Sequence, residues 1–209
     1  MSAPNTIARV GYGLDLPEWA GNFVPDFTAD SVAGIDFGEI RQQMGIDPTD
    51  PLHGIFDLDR TLRGMAHDKL AEGVADNLGA QVMDGRLTSV TLATNSRHNV
   101  AHFGPQLGDD VHTFTRYDTG YAKPSRQLFE HIVDVRGIRG DDIVMVGDMC
   151  LRDVMFAYRA RQAGLHVVSV LVKPLVGPEY GGDYALGRHL DRAALWVGSQ
   201  VLGRVPRPA

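Results

Sequence analysis

Cysteine is almost missing from this chain. Cys150 is the only one among 209 residues, so no intrachain disulfide can form and a reducing compartment fits. Long apolar runs are missing too. No stretch approaches the roughly 20 apolar residues that span a bilayer, and the N-terminal MSAPNTIARV lacks the apolar core of a secretory signal. These absences lead us to expect a cytoplasmic protein without an integral membrane segment. Positive charge is also scarce. Lys and Arg number 20 against 26 Asp and Glu, a net charge of −6, which argues against broad electrostatic binding to nucleic acid or to an anionic membrane. Internal repeats and low-complexity tracts are absent as well. What remains has an ordinary globular composition, long enough for one sizeable domain plus an extension.

The most informative stretch is Leu52 to Leu62, LHGIFDLDRTL. A short apolar run ends in two carboxylates, Asp57 and Asp59. Residues i and i+2 of a strand point to the same side, so the two acids share a face and Leu58 points away into the core. Two acids crowded at the end of a buried strand are tolerated if a cation sits between them or if one keeps a proton. Either condition suits acid/base and metal chemistry.

Around this stretch the pattern alternates between strand and helix. Residues 1–30 carry Gly11, Gly13, Pro17, Gly21 and Pro25 and read as irregular structure. Tyr12, Trp19, Phe23 and Phe27 are expected to cover an edge of the core, and GYG at 11–13 lacks the preceding strand a dinucleotide site needs. A helix is expected at Phe37–Met44, stopped by Gly45. Strands are expected at His53–Asp57, Leu87–Ala93, Val111–Thr115, Asp142–Val146 and His166–Val172. Helices are expected at 67–78 (capped by Gly79), near 97–104 (broken at Gly104-Pro105), at 125–135, at Asp153–Ala163 and near 185–202. This rhythm predicts an α/β fold with a parallel sheet of about five strands and helices on both faces. We divide the chain into an N-terminal extension (1–50), a core (51–175) and a C-terminal loop and helix (176–209).

In such sheets, sites lie beyond the carboxyl ends of the strands. The polar groups fall there: Asp57 and Asp59, then Thr94 and Asn95, then Asp148, with Lys123 leading into a helix. DLDRT at 57–61, TN at 94–95, KP at 123–124 and GDMCLRD at 147–153 resemble, in order, the four motifs of the haloacid dehalogenase-like superfamily. Each motif alone is common; four in order are specific. A looser similarity over most of residues 24–195, in PDFTADSVAGIDFGEIRQQMGIDPTDPLHGIFDLDRTL, AGLHVVSVLVKPL and RHLDRAAL, points to subfamily IIIA and the group of YqeG and the phosphatidylglycerophosphate phosphatases.

The resemblance implies a HAD-type Rossmann-like fold and a Mg²⁺-dependent phosphatase with Mg²⁺ as cofactor. Asp57 would be the nucleophile that forms an aspartyl-phosphate. Asp59 would protonate the leaving oxygen and then activate water, titrating as a unit with Asp57. Thr94 and the backbone N–H of Asn95 would bind phosphate oxygens, and Lys123 would balance negative charge. Asp57, Asp148 and the backbone carbonyl of Asp59 would hold the metal. Asp153 would order a metal-bound water or pair with Lys123, unless it caps the helix it opens. Thr61 would fix the turn after the nucleophile.

Some residues depart from the pattern. Arg60 stands where the family more often has Asn or Gly, and reads first as a solvated loop arginine and second as a group for a substrate anion. Cys150 reads as buried packing, since Mg²⁺ does not favour sulfur. His98 and His102 are four apart but lack a nearby acid, so no zinc site is expected. Leu186, Leu190, Ala194, Val197 and Val201 form a stripe read as core or partner packing before membrane contact. Residues 62–93 and 96–122 are filled by a helix and a strand each, which leaves no room for a large cap domain. An uncapped cleft admits a phosphate on a bulky carrier, a lipid head group, a nucleotide or a protein, and forgoes a lid that would select small metabolites. A phosphorylated small molecule or lipid head group is the expected partner. Monomer or homodimer is expected, without nucleic acid. The alternative is a regulatory binding module that engages a GTPase or ribosome-assembly partner through the phosphate cleft.

Overall fold

The computed structural model describes residues 8–9, 15–16, 23–64, 67–96, 100–175, 182–197 and 206–209. Two short strands, β1 (Ala8–Arg9) and β2 (Asp15–Leu16), pair antiparallel. The main sheet contains β3 (Phe27–Ala29), β4 (Leu52–Phe56), β5 (Ser89–Thr94), β6 (His112–Thr115), β7 (Asp142–Gly147), β8 (Val167–Val172) and β9 (Arg207–Pro208). Its order is β6-β5-β4-β7-β8-β3-β9, and every neighbouring pair runs parallel. The central five are the strands read from the sequence. The sheet has seven because β3 and β9, only three and two residues long, join its edge.

Strand periodicity sorts the core into two layers. In β7, Val144 and Val146 face one layer while Ile143 and Met145 face the other. In β4, Leu52 and Phe56 face the first and Ile55 the second. The first layer is covered by α1 (Phe37–Met44), through Phe37 and Ile40, and α2 (Val74–Met83), through Val74 and Leu78. The second is covered by α5 (Arg126–Arg136) and α6 (Met155–Gln162), through Phe129, Ile132, Phe156 and Ala160. Two one-turn helices, α3 (Gly104–Leu107) and α4 (Arg116–Thr119), sit beside β6 in the chain. A last helix, α7 (Gly182–Trp196), follows β8. Continuous apolar strands covered on both faces are what a parallel sheet requires.

Several boundaries moved, for local reasons. Residues 67–73 are turns, because Gly73 takes a left-handed φ of 75° that no helix passes through. Gly79, expected as a cap, lies inside α2. Gly104-Pro105 starts a helix rather than breaking one, since proline suits the first turn, whose N–H lacks a partner anyway. The helix expected at Asp153 begins as a π-helical turn, Cys150–Val154. Residues 97–99 and 198–202 of two expected helices, and Tyr12, Trp19 and GYG, lie outside the described residues. So do Val201 and the side chain of Leu186 from the C-terminal stripe. In the described part of α7 the buried side chain is Asp191, while Leu190 of the stripe is half exposed and Ala194 and Val197 are half-buried.

β3 was invisible to pattern reading because one polar residue holds it. Asp26, just before the strand, accepts from Ser169 N and Oγ at 2.8 Å each and pairs with Arg161 of α6. These bonds tie the chain start to β8, and Phe27 is then fully buried. Residues 62–93 hold α2 and most of β5, and 96–122 hold α3, β6 and α4. Among the described residues neither segment contains a cap domain. No helix of the described residues is long and apolar enough to cross a membrane.

Candidate active site

β4 stops at Phe56, and the chain turns at once. Asp57 N still donates to Val146 O (2.8 Å), but Leu58 O then accepts from the N–H groups of Thr61, Leu62 and Arg63. The i, i+2 rule therefore holds only to Asp57. Leu58 is fully buried, as expected. Asp59 turns to Arg63, whose Nε and an Nη both donate to its Oδ1 at 2.9 and 2.7 Å. The acids that crowd Asp57 come from another strand. Carboxylate oxygens of Asp57, Asp148 and Asp153 lie within 4.8 Å of one another, all buried.

Lys123 sits among them. Its Nζ donates to Asp57 Oδ1 at 2.5 Å and to Asp153 Oδ1 at 2.6 Å. Of the three readings for Asp153, a metal-bound water, the lysine pair and a helix cap, the structure has the lysine pair and not the cap: from within the π-helical turn its Oδ2 accepts from Met149 N at 3.0 Å. The last residue of β7 permits this. A Cβ on Gly147 would stand 2.1 Å from Asp153 Cγ, so only glycine lets that carboxylate lie against the strand. Asn95 positions the lysine from the other side, its Oδ1 accepting from Lys123 N (2.7 Å) and its Nδ2 donating to Lys123 O (3.0 Å). Thr94 is buried, and its Oγ1 accepts from Ser96 N at 3.1 Å, which leaves its hydroxyl hydrogen to donate. Thr61 is buried behind the turn, and its hydroxyl has no partner among the described residues.

Burial dominates the electrostatics of Asp57. It pushes the carboxyl up to about 6, opposed by Lys123 and reinforced by Asp153 and, least, by Asp59. For Lys123, burial works against the charge, but Asp153 and Asp57 outweigh it and the pKa is raised. The ammonium therefore stays charged at neutral pH, in contact with two acids.

Above these groups lies a cavity of about 260 Å³ whose wall includes Asp57, Asp59, Thr94, Asn95, Lys123 and Asp148. All six were singled out in the sequence. Asp153 and Thr61 support it from behind. Arg60, Arg152, Ser96 and Met149 also line it. Arg60 is a correction, being 9% exposed rather than a solvated loop residue. Cys150 is fully buried packing, as expected. Sequence reasoning missed the Asn95 side chain, Gly147, Arg63 and Asp191. Asp191, in α7, accepts from Leu151 N at 3.0 Å and so ties that helix to the turn carrying Asp153. Arg63 is four residues from Asp59, a signal of contact only where the chain is known to turn. Asp191 carries no local signal.

The donor set fits a hard divalent cation, which takes carboxylate and carbonyl oxygens. Asp153 already accepts from Lys123 and from Met149 N, so Asp57 and Asp148 are the side chains suited to hold it. The Asp59 carboxylate lies outside the trio; the metal role expected of that residue is on its backbone carbonyl. Among the described residues no histidine joins such a cluster, and His98 lies outside them.

The family model for haloacid dehalogenase-like hydrolases matches residues 12–160. No curated protein matches the chain. Among solved structures, an uncharacterised protein of Listeria monocytogenes serotype 4b is 19% identical, with TM-score 0.44, covering 61% of this chain and 87% of its own. One of Corynebacterium glutamicum is 18% identical, with TM-score 0.44 and coverage of 68% and 93%. A HAD phosphatase of Thermococcus onnurineus is 20% identical, with TM-score 0.37 and coverage of 58% of each chain.

Proposed function

This chain belongs to the haloacid dehalogenase-like hydrolases, and from that premise we propose that it is a Mg²⁺-dependent phosphomonoester phosphatase working through an aspartyl-phosphate on Asp57. The observation that carries the reading is the buried Lys123 ammonium bridging Asp57 and Asp153 beneath a polar cavity that Asp148 also lines.

Asp57, ionised, attacks phosphorus, and the ester oxygen departs with the bond's electron pair. Asp59 gives that oxygen a proton, then takes one from the water that splits the acyl-phosphate. Both bonds from Arg63 fall on Oδ1 of Asp59, so Oδ2 is the oxygen suited to carry the proton. The Thr94 hydroxyl and the Asn95 backbone N–H donate to phosphoryl oxygens, and Lys123 offsets charge at the nucleophile. Asp57, Asp148 and the Asp59 carbonyl would hold Mg²⁺. When bound, the cation supplies positive charge that lets an anionic carboxylate meet an anionic phosphate. Asp153 holds Lys123 in place, and Thr61 supports the turn.

A cavity of about 260 Å³ is smaller than the pockets of roughly 300–1,000 Å³ that enclose whole ligands. It takes the phosphoryl end and the groups next to it and leaves the bulk of the carrier outside. This supports a phosphate on a lipid head group or a nucleotide, and it agrees with the looser resemblance to the YqeG and phosphatidylglycerophosphate phosphatase group. The test is phosphate release from lipid, nucleotide and sugar phosphates with Mg²⁺, abolished by EDTA. An Asp57→Asn protein with full activity would overturn the reading. So would capture of a stoichiometric protein partner with no turnover on any of these substrates.

A further inference from the structure

The proposed reaction leaves two cations of the cavity wall without a task. Arg60 lies in the turn after β4, and Arg152 in the π-helical turn after β7. The donors assigned to the reacting phosphoryl group, Thr94 and the Asn95 N–H, stand beyond β5, on the other side of β4 in the sheet. Both arginines line the cavity, on the β4–β7 side that also carries Asp57, Asp59 and Asp148.

Arg60 is held there at a cost. Its φ of 68° makes it the only non-glycine with positive φ among the described residues. Glycine or asparagine would take that conformation with less strain. The backbone is pinned on both sides: Arg60 N donates to Arg63 O at 2.7 Å, and its carbonyl accepts from Leu175 N at 2.8 Å. The side chain is nearly buried, with Nη1 4.0 Å from Asp148 Oδ2. Backbone strain that the surroundings enforce is a mark of functional positions. Arg152, by contrast, is exposed at the rim and has no salt-bridge partner among the described residues. One buried and one exposed guanidinium on the same wall suit an oxyanion that enters from outside, since the planar guanidinium pairs with phosphate or carboxylate through two parallel bonds.

We propose that Arg60 and Arg152 form a second anion subsite, so that the substrate is a phosphomonoester whose leaving group carries a further phosphate or carboxylate. This rests on the phosphatase reading and narrows its substrate. A diester phosphate in a lipid head group and a second phosphate on a nucleotide share the required chemistry.

The experiment compares matched probes with Mg²⁺: propane-1,3-diol monophosphate against the 1,3-bisphosphate. Charge-assisted hydrogen bonds of about 1.5–3 kcal/mol correspond to a preference of roughly 10- to 100-fold in kcat/KM for the bisphosphate, most of it in KM. Arg60→Asn, which suits the left-handed backbone, and Arg152→Gln, at an exposed site, should each bring the ratio toward one while thermal melts report intact folding. A ratio near one in the parent protein, or a ratio unchanged in both variants, overturns the subsite. Turnover of neither probe is a failure of the phosphatase reading instead. Calorimetric binding of the same two probes then decides the subsite: tighter bisphosphate binding that both variants lose upholds it, and equal binding sinks it. Short-chain phosphatidylglycerophosphate and a nucleoside 3′,5′-bisphosphate separate the two sources. Preference for the first puts the second anion in a lipid diester, and preference for the other puts it on a nucleotide.

Discussion

The two halves of the cleft are built differently. On one side Asp57, Lys123 and Asp153 are all 8% exposed or less and joined by bonds of 2.5 and 2.6 Å, with Asn95 and Gly147 holding the frame. On the other, Asp59 keeps a side chain that is 25% exposed and one partner, Arg63, beside Arg60 and the exposed Arg152. The buried half has one arrangement open to it, because moving any member strands a charge out of water. In the exposed half the Asp59 and Arg152 side chains keep room to move, although Arg60 is nearly buried. Chemistry that must recur identically in every turnover belongs to the first. Proton delivery to the leaving group, and recognition of what lies beyond it, belong to the second.

The sharpest test of this division is at the nucleophile. Asp57→Asn should reduce phosphate release by about 10³-fold or more, because a lost nucleophile has no substitute. The amide oxygen can still accept from Lys123, so the fold should survive, as circular dichroism would report. Lys123→Met should come next. It leaves Asp57 and Asp153 buried without their counter-charge, a loss of about 3–5 kcal/mol in stability, with activity down by roughly 10²-fold. A denaturant titration that finds no lost stability would break the contrast, since the lysine would then be as replaceable as a surface charge.

Gly147→Ala tests the frame alone. The new Cβ would need the space of the Asp153 carboxylate, so Asp153 or β7 must shift. About 1–3 kcal/mol of stability and roughly tenfold in kcat should be lost, since small misplacements are costly in such sites. If crystals of this variant kept the Lys123–Asp153 bond and activity were unchanged, the packing argument would fail.

What the sequence made legible follows the same division. The acids and the lysine stand at strand ends, where topology dictates that sites lie, so Asp57, Thr94, Lys123 and Asp148 could be read before any coordinates. The five central strands are apolar runs between turn signals and were equally visible. Partnerships were harder. That Asp57 shares its cluster with Asp148 and Asp153, with Asp59 acting on it least, depends on the chain leaving strand geometry at Leu58, which spacing alone does not reveal. Asn95 was read through its backbone N–H alone, yet its side-chain amide fixes a loop 28 positions on. β3 was hidden because its register is set by Asp26 and Ser169 across the sheet, not by its own three residues.

Asp57 also sets a pH dependence. Its pKa is raised to about 6 in the metal-free protein, chiefly by burial. The anion is the nucleophile, so kcat/KM should fall by up to tenfold per unit below the midpoint. A bound divalent cation favours the anion, so the acid limb should lie lower at saturating Mg²⁺ than at limiting Mg²⁺. Stability has the opposite sign. Between an unfolded value of 3.8 and about 6, the native state keeps a proton that the unfolded chain has released. The metal-free protein should therefore lose Tm relative to Asp57→Asn as pH rises through that window. A constant difference across it would mean that Lys123 neutralises Asp57 fully.

The smallest effect is expected at Arg63, and it bears on the exposed half. Arg63 donates to Asp59 Oδ1 and to His67 O (2.8 Å), and its guanidinium lies 4.5 Å from the centre of the Phe103 ring. A partly exposed ion pair contributes about 1 kcal/mol, so Arg63→Gln should cost a modest drop in Tm. Asp59 would remain able to reach the leaving oxygen, but from a broader set of positions. A fall of about threefold to tenfold in kcat with little change in KM is the expected result. Arg152→Gln should do the reverse and raise KM. If Arg63→Gln abolished turnover as completely as Asp59→Asn, the pair would act as one rigid unit. The exposed half of the cleft would then be as tightly wired as the buried one.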